Sequence, residues 1–306
     1  KSRLLSSLKI LAVAVAVIAA GYYSIAMRDL RKSMERTFAE RVNLVSTYIS
    51  MVQQQVDGMS RTVSRNYGRS LAPETTGVRF YGEYGVWGLS GYREDKGVEK
   101  LAGTCTGIGT FPLPLSVKKE LSAAISIDSE VESILIFNKN VTWIYYTSAE
   151  KFLYLAPKLR ISEYQFSLAE YKRPSWSQAV PENNPDMKQI ISDLYEDSVG
   201  KGLMITISSP VQANGEFIGV MSLDLGTDLL KELSMTGYIP GETILVDENG
   251  RIVARMGEFL KEEQYPLIPL PGAWYSGKDG FFWMRSEVGG GELNMLHRIK
   301  KSEYYI

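Results

Sequence analysis

The hydrophobic pattern of the chain begins with an uncharged run, Ile10–Met27, after which the sequence turns polar and never becomes as apolar again. A helix needs about 20 apolar residues to cross the hydrocarbon core of a bilayer, and this run lacks the polar face of a soluble helix. Three basic residues, Lys1, Arg3 and Lys9, precede it, and such leaders stay in the cytoplasm. We therefore predict an anchor in the inner (cytoplasmic) membrane, with residues 28–306 periplasmic or extracellular.

A cleaved signal peptide is the alternative interpretation of this segment, because Ala14–Ala16 offers the small-residue spacing of a cleavage site. Arg28 and Arg31, just beyond the run, weaken the charge argument, although long exported domains are insensitive to such charges. The length of the run and its continuation into a helix favour an uncleaved anchor. Both interpretations export the rest of the chain.

A long amphipathic helix is predicted after the anchor, over residues 28–68. Its apolar positions recur at alternating four- and three-residue spacing, which keeps one stripe on one face. The stripe comprises Val42, Val45, Ile49, Val52, Val56, Met59 and Val63, and the polar face comprises Glu40, Arg41, Gln53, Gln54, Asp57 and Arg61. The stripe packs either along its own domain or, in part, against a second copy in a parallel homodimer. Breakers from Gly68 onward end the helix.

Hairpin signals dominate the next part of the chain. Residues 81–114 are rich in Gly and aromatics (Tyr81, Tyr84, Trp87, Tyr92) and predict a loop-rich cap, followed by a short helix over Ser116–Ile125. Alternating or β-branched runs bounded by turn residues then predict strands, and Asn214-Gly215 suits a tight hairpin turn. The predicted strands are Ser133–Phe137, Thr142–Thr147, Phe152–Leu155, Leu203–Val211 and Glu216–Asp224, followed by a helix over Thr227–Ser234.

The hairpin pattern restarts in shortened form after residue 236. Its predicted strands are Glu242–Asp247, Arg251–Met256, Gly280–Ser286 and Glu292–Lys300. Local antiparallel hairpins with helices to one side indicate an α+β fold and argue against a parallel wound sheet. The sequence thus predicts two antiparallel-sheet modules behind one long helix.

Composition narrows the function classes. Hydrophobic residues at 44% and charged residues at 23% are typical of a globular chain. A net charge of −1 gives no reason to expect nucleic acid as a partner. Cys105 and His297 are the single cysteine and histidine, so neither an internal disulfide nor a multi-histidine metal site can form. We expect no metal and no cofactor.

Catalytic motifs are weak. "GTCTGIG" lies outside any strand–helix frame, and "GKGL" lacks the rest of a phosphate-binding loop. No Ser or Cys has a recognisable nucleophile setting. We predict that the segment is not an enzyme.

The stretches "YKRPSW" and "LYEDSVGKGLMITISSPVQANGEFIGVMSLDL" resemble double Cache (tandem PAS-like) extracellular sensor domains of bacterial membrane receptors. The "YYTS" strand and "GKGLM" turn are most similar to those of sensor histidine kinases and diguanylate cyclases. The resemblance implies a homodimeric receptor of kinase, cyclase or chemoreceptor type, with an output domain beyond Ile306. Its expected parts are the anchor (1–27), the long helix (28–68), a membrane-distal ligand-binding PAS-like module (69–236) and a membrane-proximal PAS-like module (237–306).

The resemblance also implies a ligand site in the distal module. Arg173 offers a fork of donors for a carboxylate, and family members place a carboxylate at the position of Asp224 toward the ligand's ammonium. Strand alternation sends Trp143 and Tyr145 to one face and Tyr146 to the other. The expected ligand is an amino acid, an amine or a carboxylate, and the predicted contacts are Trp143, Tyr145, Arg173, Trp176, Tyr195, Asp197 and Asp224.

Other interpretations of these residues stay open at this point. The aromatics can be core, Arg173 and Asp197 can form a surface ion pair, and Asp224 can cap the helix near Thr227. Two residues separate Arg173 from Trp176 where the amino-acid-binding pattern has one, so the pattern does not fix the ligand. The alternative function is a partner-protein-sensing or dimerisation module with a filled core and no small-molecule site.

Overall fold

The computed structural model describes residues 2–69, 78–81, 85–89, 101–110, 112–197, 200–257, 263–267 and 274–304. The predicted cap residues Tyr84 and Tyr92 lie outside this part of the chain. The fold consists of two units. The larger unit is Thr47–Leu230, and the smaller unit combines described residues before Thr47 with those after Leu230.

Helix α1 runs from Ser2 to Asn66. Its N-terminal stretch is exposed wherever side chains are described, with Ile10 70% and Val17 65% exposed. By length and composition, one helix among the described residues could cross a membrane, and its apolar part begins at Ile10. A signal sequence would meet the same criteria, so the anchor and the signal-peptide interpretations both stand.

The apolar stripe of α1 is buried, as its spacing predicts. Six of its members are fully buried: Val45, Ile49, Val52, Val56, Met59 and Val63. Val42 is half-buried. Arg41, which the pattern assigns to the polar face, is only 6% exposed; that assignment is wrong because tertiary partners satisfy its guanidinium.

Nine described strands form the antiparallel sheet of the larger unit. Their spatial order is β1-β2-β3-β5-β4-β9-β8-β6, and β7 pairs with β8. The strands are β1 (Val78–Tyr81), β2 (Val86–Leu89), β3 (Thr104–Ile108), β4 (Val141–Ser148), β5 (Phe152–Ala156), β6 (Ile190–Ile191), β7 (Tyr195–Glu196), β8 (Leu203–Ala213) and β9 (Glu216–Gly226). The β8–β9 hairpin turns at Asn214-Gly215, where both residues adopt positive φ as a tight turn requires.

Strand alternation gives this sheet two different faces. Tyr146 on β4 and its cross-strand partner Tyr154 on β5 point to the face covered by helices, where their hydroxyls donate to Glu120 and Asp128. The other face carries a buried cluster of Trp143, Tyr145, Leu153, Leu155, Phe166, Tyr195 and Met204. This second face, beneath the segment between β5 and β6, contains the site described below.

Two helices precede β4: α2 (Leu115–Ile125) as predicted, and α3 (Asp128–Phe137). The predicted strand over Ser133–Phe137 is wrong, because these residues form the second half of α3. Asp128 and Glu130 lie in its first turn, where negative charge favours a helix N-terminus. A short apolar run does not by itself distinguish a strand from a helix.

The loop-rich cap predicted over residues 81–114 is also wrong in part. Strands β2 and β3 lie within it and pair with each other, and β3 joins the sheet through β5. Gly107 is required there, since a Cβ would lie 2.5 Å from the Trp87 ring. A glycine has no side chain, so it interrupts the alternation of apolar and polar residues by which a strand is predicted. The strand forms here because β3 pairs with β2 and β5.

The smaller unit contains a five-stranded antiparallel sheet among its described residues, in the order β11-β10-β14-β13-β12. Helix α5 (Thr227–Ser234) precedes it as predicted. The strands are β10 (Glu242–Asp247), β11 (Ile252–Arg255), β12 (Tyr275–Ser276), β13 (Phe281–Val288) and β14 (Leu293–Lys300), and α6 is Lys301–Tyr304. His297 is fully buried and contacts Thr243 and the Pro240 carbonyl, and burial lowers its pKa to about 4. It is therefore a neutral core histidine.

Candidate functional site

A cavity lies on the second face of the larger sheet. The space between its walls, counted together with its opening to solvent, is about 280 Å³. The lining residues are Trp143, Tyr145, Leu153, Leu155, Tyr164, Glu170, Arg173, Asp197 and Asp224.

Asp224 is held by a chain of hydroxyl groups. Its Oδ1 accepts hydrogen bonds from Tyr145 (2.9 Å) and from Thr206 (2.7 Å). Because the single proton of Thr206 is committed to Asp224, the 2.7 Å contact with Tyr195 makes the tyrosine the donor. The network therefore fixes one carboxylate oxygen and leaves the other available.

The second oxygen of Asp224 is buried and has no hydrogen-bond partner among the described residues. The indole Nε1 of Trp143 is likewise buried and has no hydrogen-bond partner among the described residues. Trp143 and Asp224 are cross-strand neighbours on β4 and β9. Burial raises the pKa of Asp224 to about 7, against the opposing hydrogen bonds from Thr206 and Tyr145. The two residues that carry this buried acceptor and this buried donor both line the cavity.

Glu170 and Arg173 form an ion pair in the cavity wall. Arg173 Nε donates to Glu170 Oε2 at 2.8 Å, and Tyr164 hydrogen-bonds to the same carboxyl group. Glu170 lies on a 3-10 turn, Leu168–Lys172, directly before α4 (Pro174–Ser177). Burial raises the pKa of Glu170, and the nearby guanidinium opposes that rise.

Asp197 is the third carboxyl group of the lining. It is 5% exposed, and its Oδ2 accepts from the backbone N–H of Lys201. Among the charged lining residues, three are acidic and Arg173 is basic. Acidic residues therefore outnumber basic ones in the lining.

Five of the seven predicted site residues line the cavity: Trp143, Tyr145, Arg173, Asp197 and Asp224. Trp176 lies outside the lining and stacks on Tyr171 at 4.4 Å between ring centroids. Tyr195 is outside the lining and is linked to Asp224 through Thr206: it donates to Thr206, which donates to Asp224. Asp224 does not cap α5, because it lies inside β9 and its bonded oxygen faces the two hydroxyls.

Sequence reasoning missed Tyr164, Glu170, Leu153, Leu155 and the supporting Thr206. Alternation along β5 and β8 could have assigned Leu153, Leu155 and Thr206 to the same face as Tyr145. The spacing of Glu170 and Arg173 suits a helical ion pair, but the sequence offers no signal that it is buried. No group of three or more His, Cys, Asp or Glu side chains suited to a metal ion occurs in the described part of the chain.

A protein-family comparison matches residues 121–232 to the methyl-accepting chemotaxis protein-like, first PDC sensor domain. The match spans α3, β4, β5, the cavity wall and the β8–β9 hairpin. Among curated proteins, none matches the sequence of this chain.

Solved structures with the same fold cover nearly the whole chain. The ligand-binding domain of the Pseudomonas aeruginosa PAO1 amino acid chemoreceptor PctB, in complex with L-Arg, is 14% identical, with a TM-score of 0.57 and coverage of 91% of this chain and 98% of that one. That of Pseudomonas fluorescens CtaA with L-isoleucine is 13% identical (TM-score 0.54; 91% and 95% covered). That of Campylobacter jejuni Tlp3 with L-norvaline is 15% identical (TM-score 0.52; 90% and 94% covered).

Proposed function

We propose that the chain carries a double Cache-type sensor domain and that the cavity beside Asp224 binds a small ligand through a primary ammonium group. The ligand class comprises amines and α-amino acids. In this proposal the module of residues 69–236 binds the ligand, and the module of residues 237–306 relays the signal.

The buried, unpartnered Oδ2 of Asp224 carries this proposal. A buried carboxylate oxygen without a partner is costly, and an ammonium group supplies both the charge and the donors that it lacks. The unpartnered Nε1 of Trp143, on the neighbouring strand, would donate to an acceptor on the ligand. The cavity is also lined with polar groups. This favours a ligand site over a partner-sensing module, for which a filled apolar core is expected. The chemoreceptors PctB, CtaA and Tlp3 carry amino acids in this fold.

A calorimetric screen tests the ligand class. The full chain, in lipid nanodiscs, is titrated with amines, α-amino acids and carboxylates without an amino group. We expect binding only from compounds with an ammonium group. Tight binding by a carboxylate that lacks one would contradict the proposal.

Asp224→Asn then tests the residue. Removing the charge leaves the ligand's cation without its partner, which costs on the order of 2–5 kcal/mol, a loss of about thirty-fold or more in affinity. Asp228→Asn is the matched control, since Asp228 is exposed on α5. Equal affinities for both variants would contradict the role of Asp224.

Signal transfer in this proposal runs through α1, which contributes residues to both units. The ligand can shift the receptor only by binding one of two arrangements more tightly. Residues 28–306 would lie outside the cytoplasm, behind an inner-membrane anchor, with a homodimer passing the signal to a kinase, cyclase or chemoreceptor output. A reporter that is active only in the periplasm, fused after Ile306, should give signal; a cytoplasm-only reporter that gives signal there would overturn this topology.

A further inference from the structure

The ion pair between Glu170 and Arg173 bears on which ligands the cavity admits. Both side chains line the cavity, and Glu170 is almost completely buried, with its side chain 8% exposed. Arg173 Nε donates to it at 2.8 Å, and Tyr164 holds the same carboxyl group by a further hydrogen bond. The guanidinium therefore already faces a carboxylate that belongs to the chain.

The remaining charges of the lining reinforce this effect. Besides Glu170, Arg173 and the tyrosines, the ionisable residues of the lining are Asp197 and Asp224, and both are acidic. A ligand carboxylate would enter among three acidic side chains and would have to share one guanidinium with Glu170. Burying a carboxylate without a partner of its own is strongly unfavourable, whereas an ammonium group meets the carboxyl group of Asp224.

We propose that Glu170 is a specificity-determining residue: as the internal counter-ion of Arg173, it makes the cavity select small amines without a carboxylate over the corresponding α-amino acids. The proposal rests on the proposed function, because it takes Asp224 as the acceptor of the ligand's ammonium. Within that ligand class, Glu170 would determine whether amines or α-amino acids bind more tightly. Specificity is a difference of two affinities, and a repulsive group against the wrong ligand creates it as effectively as an attractive one for the right ligand.

Matched pairs of probes measure this selection. Isobutylamine and valine, phenethylamine and phenylalanine, and agmatine and arginine differ within each pair only by the carboxylate. Calorimetry on the full chain in nanodiscs gives the ratio of the two affinities for each pair. We expect a preference of tenfold or more for the amine in every pair that binds.

Glu170→Gln tests the residue, because glutamine keeps the shape and an acceptor for Tyr164 but removes the negative charge that pairs with the guanidinium of Arg173. We expect the preference for the amine to fall tenfold or more. Glu182→Gln, at an exposed position of the same segment, should leave the preference unchanged. An amino acid that binds the parent as tightly as its amine, or an unchanged preference in folded Glu170→Gln, would overturn the proposal.

The double variant Glu170→Gln/Arg173→Gln keeps the test decisive if Glu170→Gln does not fold, because removing both members of the ion pair leaves the net charge of the lining unchanged. Because the parent cavity does not use Arg173 for a ligand carboxylate, the amine preference should stay within about threefold of the parent value. A tenfold rise would mean that Arg173 holds the carboxylate of amino acids in the parent, which contradicts the proposal. The proposed function survives that outcome if Asp224→Asn still weakens both members of a pair. If no amine and no amino acid binds, both proposals fail.

Discussion

Trp143 and Asp224 are cross-strand partners on β4 and β9, and each carries one buried polar atom without a hydrogen-bond partner in the described part of the chain. A stable core normally satisfies such atoms. Their pairing in register, on a sheet face that borders a cavity, places a lone donor and a lone acceptor side by side. That arrangement suits a ligand that brings the complementary groups.

Amine binding should release protons below neutral pH. Burial raises the pKa of Asp224 to about 7, whereas a bound ammonium stabilises the ionised form. At pH 6 the group is mostly protonated before binding, so binding an amine releases most of one proton; at pH 8.5 it releases almost none. Titrations in buffers of different ionisation enthalpy measure this release. A release that does not change between these pH values would contradict the role of Asp224.

Ionisation of Glu120 should lower the free energy of unfolding at high pH. It is 2% exposed, accepts a 2.8 Å hydrogen bond from Tyr146, and has a pKa raised by burial to about 7. An unfolded glutamate titrates near pH ~4.3, so this contribution to stability is fully present below that pH and is lost as pH rises through about 7. Glu120→Gln should therefore gain stability between pH 5 and pH 8, by up to about 3 kcal/mol at ~1.4 kcal/mol per pKa unit.

Urea unfolding at pH 5, 6, 7 and 8 compares Glu120→Gln with Glu132→Gln, which changes an exposed residue of α3. Only the first variant should show a stability difference from the parent that grows with pH. A constant difference would mean that Glu120 is ionised throughout.

The buried stripe of α1 should not tolerate charge. Ile49 is fully buried, whereas Met51, two residues away, is 41% exposed. Ile49→Asp places a carboxylate in apolar surroundings at a cost of several kcal/mol, while Met51→Asp leaves it in water. We expect a much lower melting temperature for the first variant only, measured by circular dichroism. Equal melting temperatures would mean that the stripe does not contribute to the core.

Arg41 should stabilise the smaller unit. Its guanidinium donates to the carbonyls of Thr236 (2.9 Å) and Gly237 (2.7 Å) and to the hydroxyl of Thr243. Lysine cannot reproduce this fork from one ammonium group. Arg41→Lys should therefore cost on the order of 3 kcal/mol, since hydrogen bonds to charged groups contribute about 1.5–3 kcal/mol each.

Arg36→Lys is the matched control, because the side chain of Arg36 is 76% exposed on the same helix. Chemical unfolding followed by tryptophan fluorescence, to which Trp274 and Trp283 of the smaller unit contribute, reports the difference. Unfolding midpoints that agree between the two variants would rule out the anchoring role of Arg41.

Features that depend on local period and turn chemistry can be predicted from the sequence alone. The apolar run at Ile10, the buried stripe through Ile49 and the hairpin at Asn214-Gly215 all follow from spacing or from the φ angles that these residues accept. Strand alternation likewise placed Trp143 and Tyr145 on one face and Tyr146 on the other. Each of these patterns can be recognised within a few neighbouring residues.

Features that depend on distant partners arise only in the folded chain. Ser133–Phe137 became helical, and β2 and β3 joined the sheet, because the pairing partners and buried surfaces come from elsewhere in the chain. Arg41 is buried because carbonyls some 195 residues away accept its hydrogen bonds. The site follows the same rule: Asp224 owes its raised pKa to burial, and Glu170 meets Arg173 inside a cavity wall. The sequence names these ionisable groups, but their burial and partners, which set their chemistry, arise only when the chain folds.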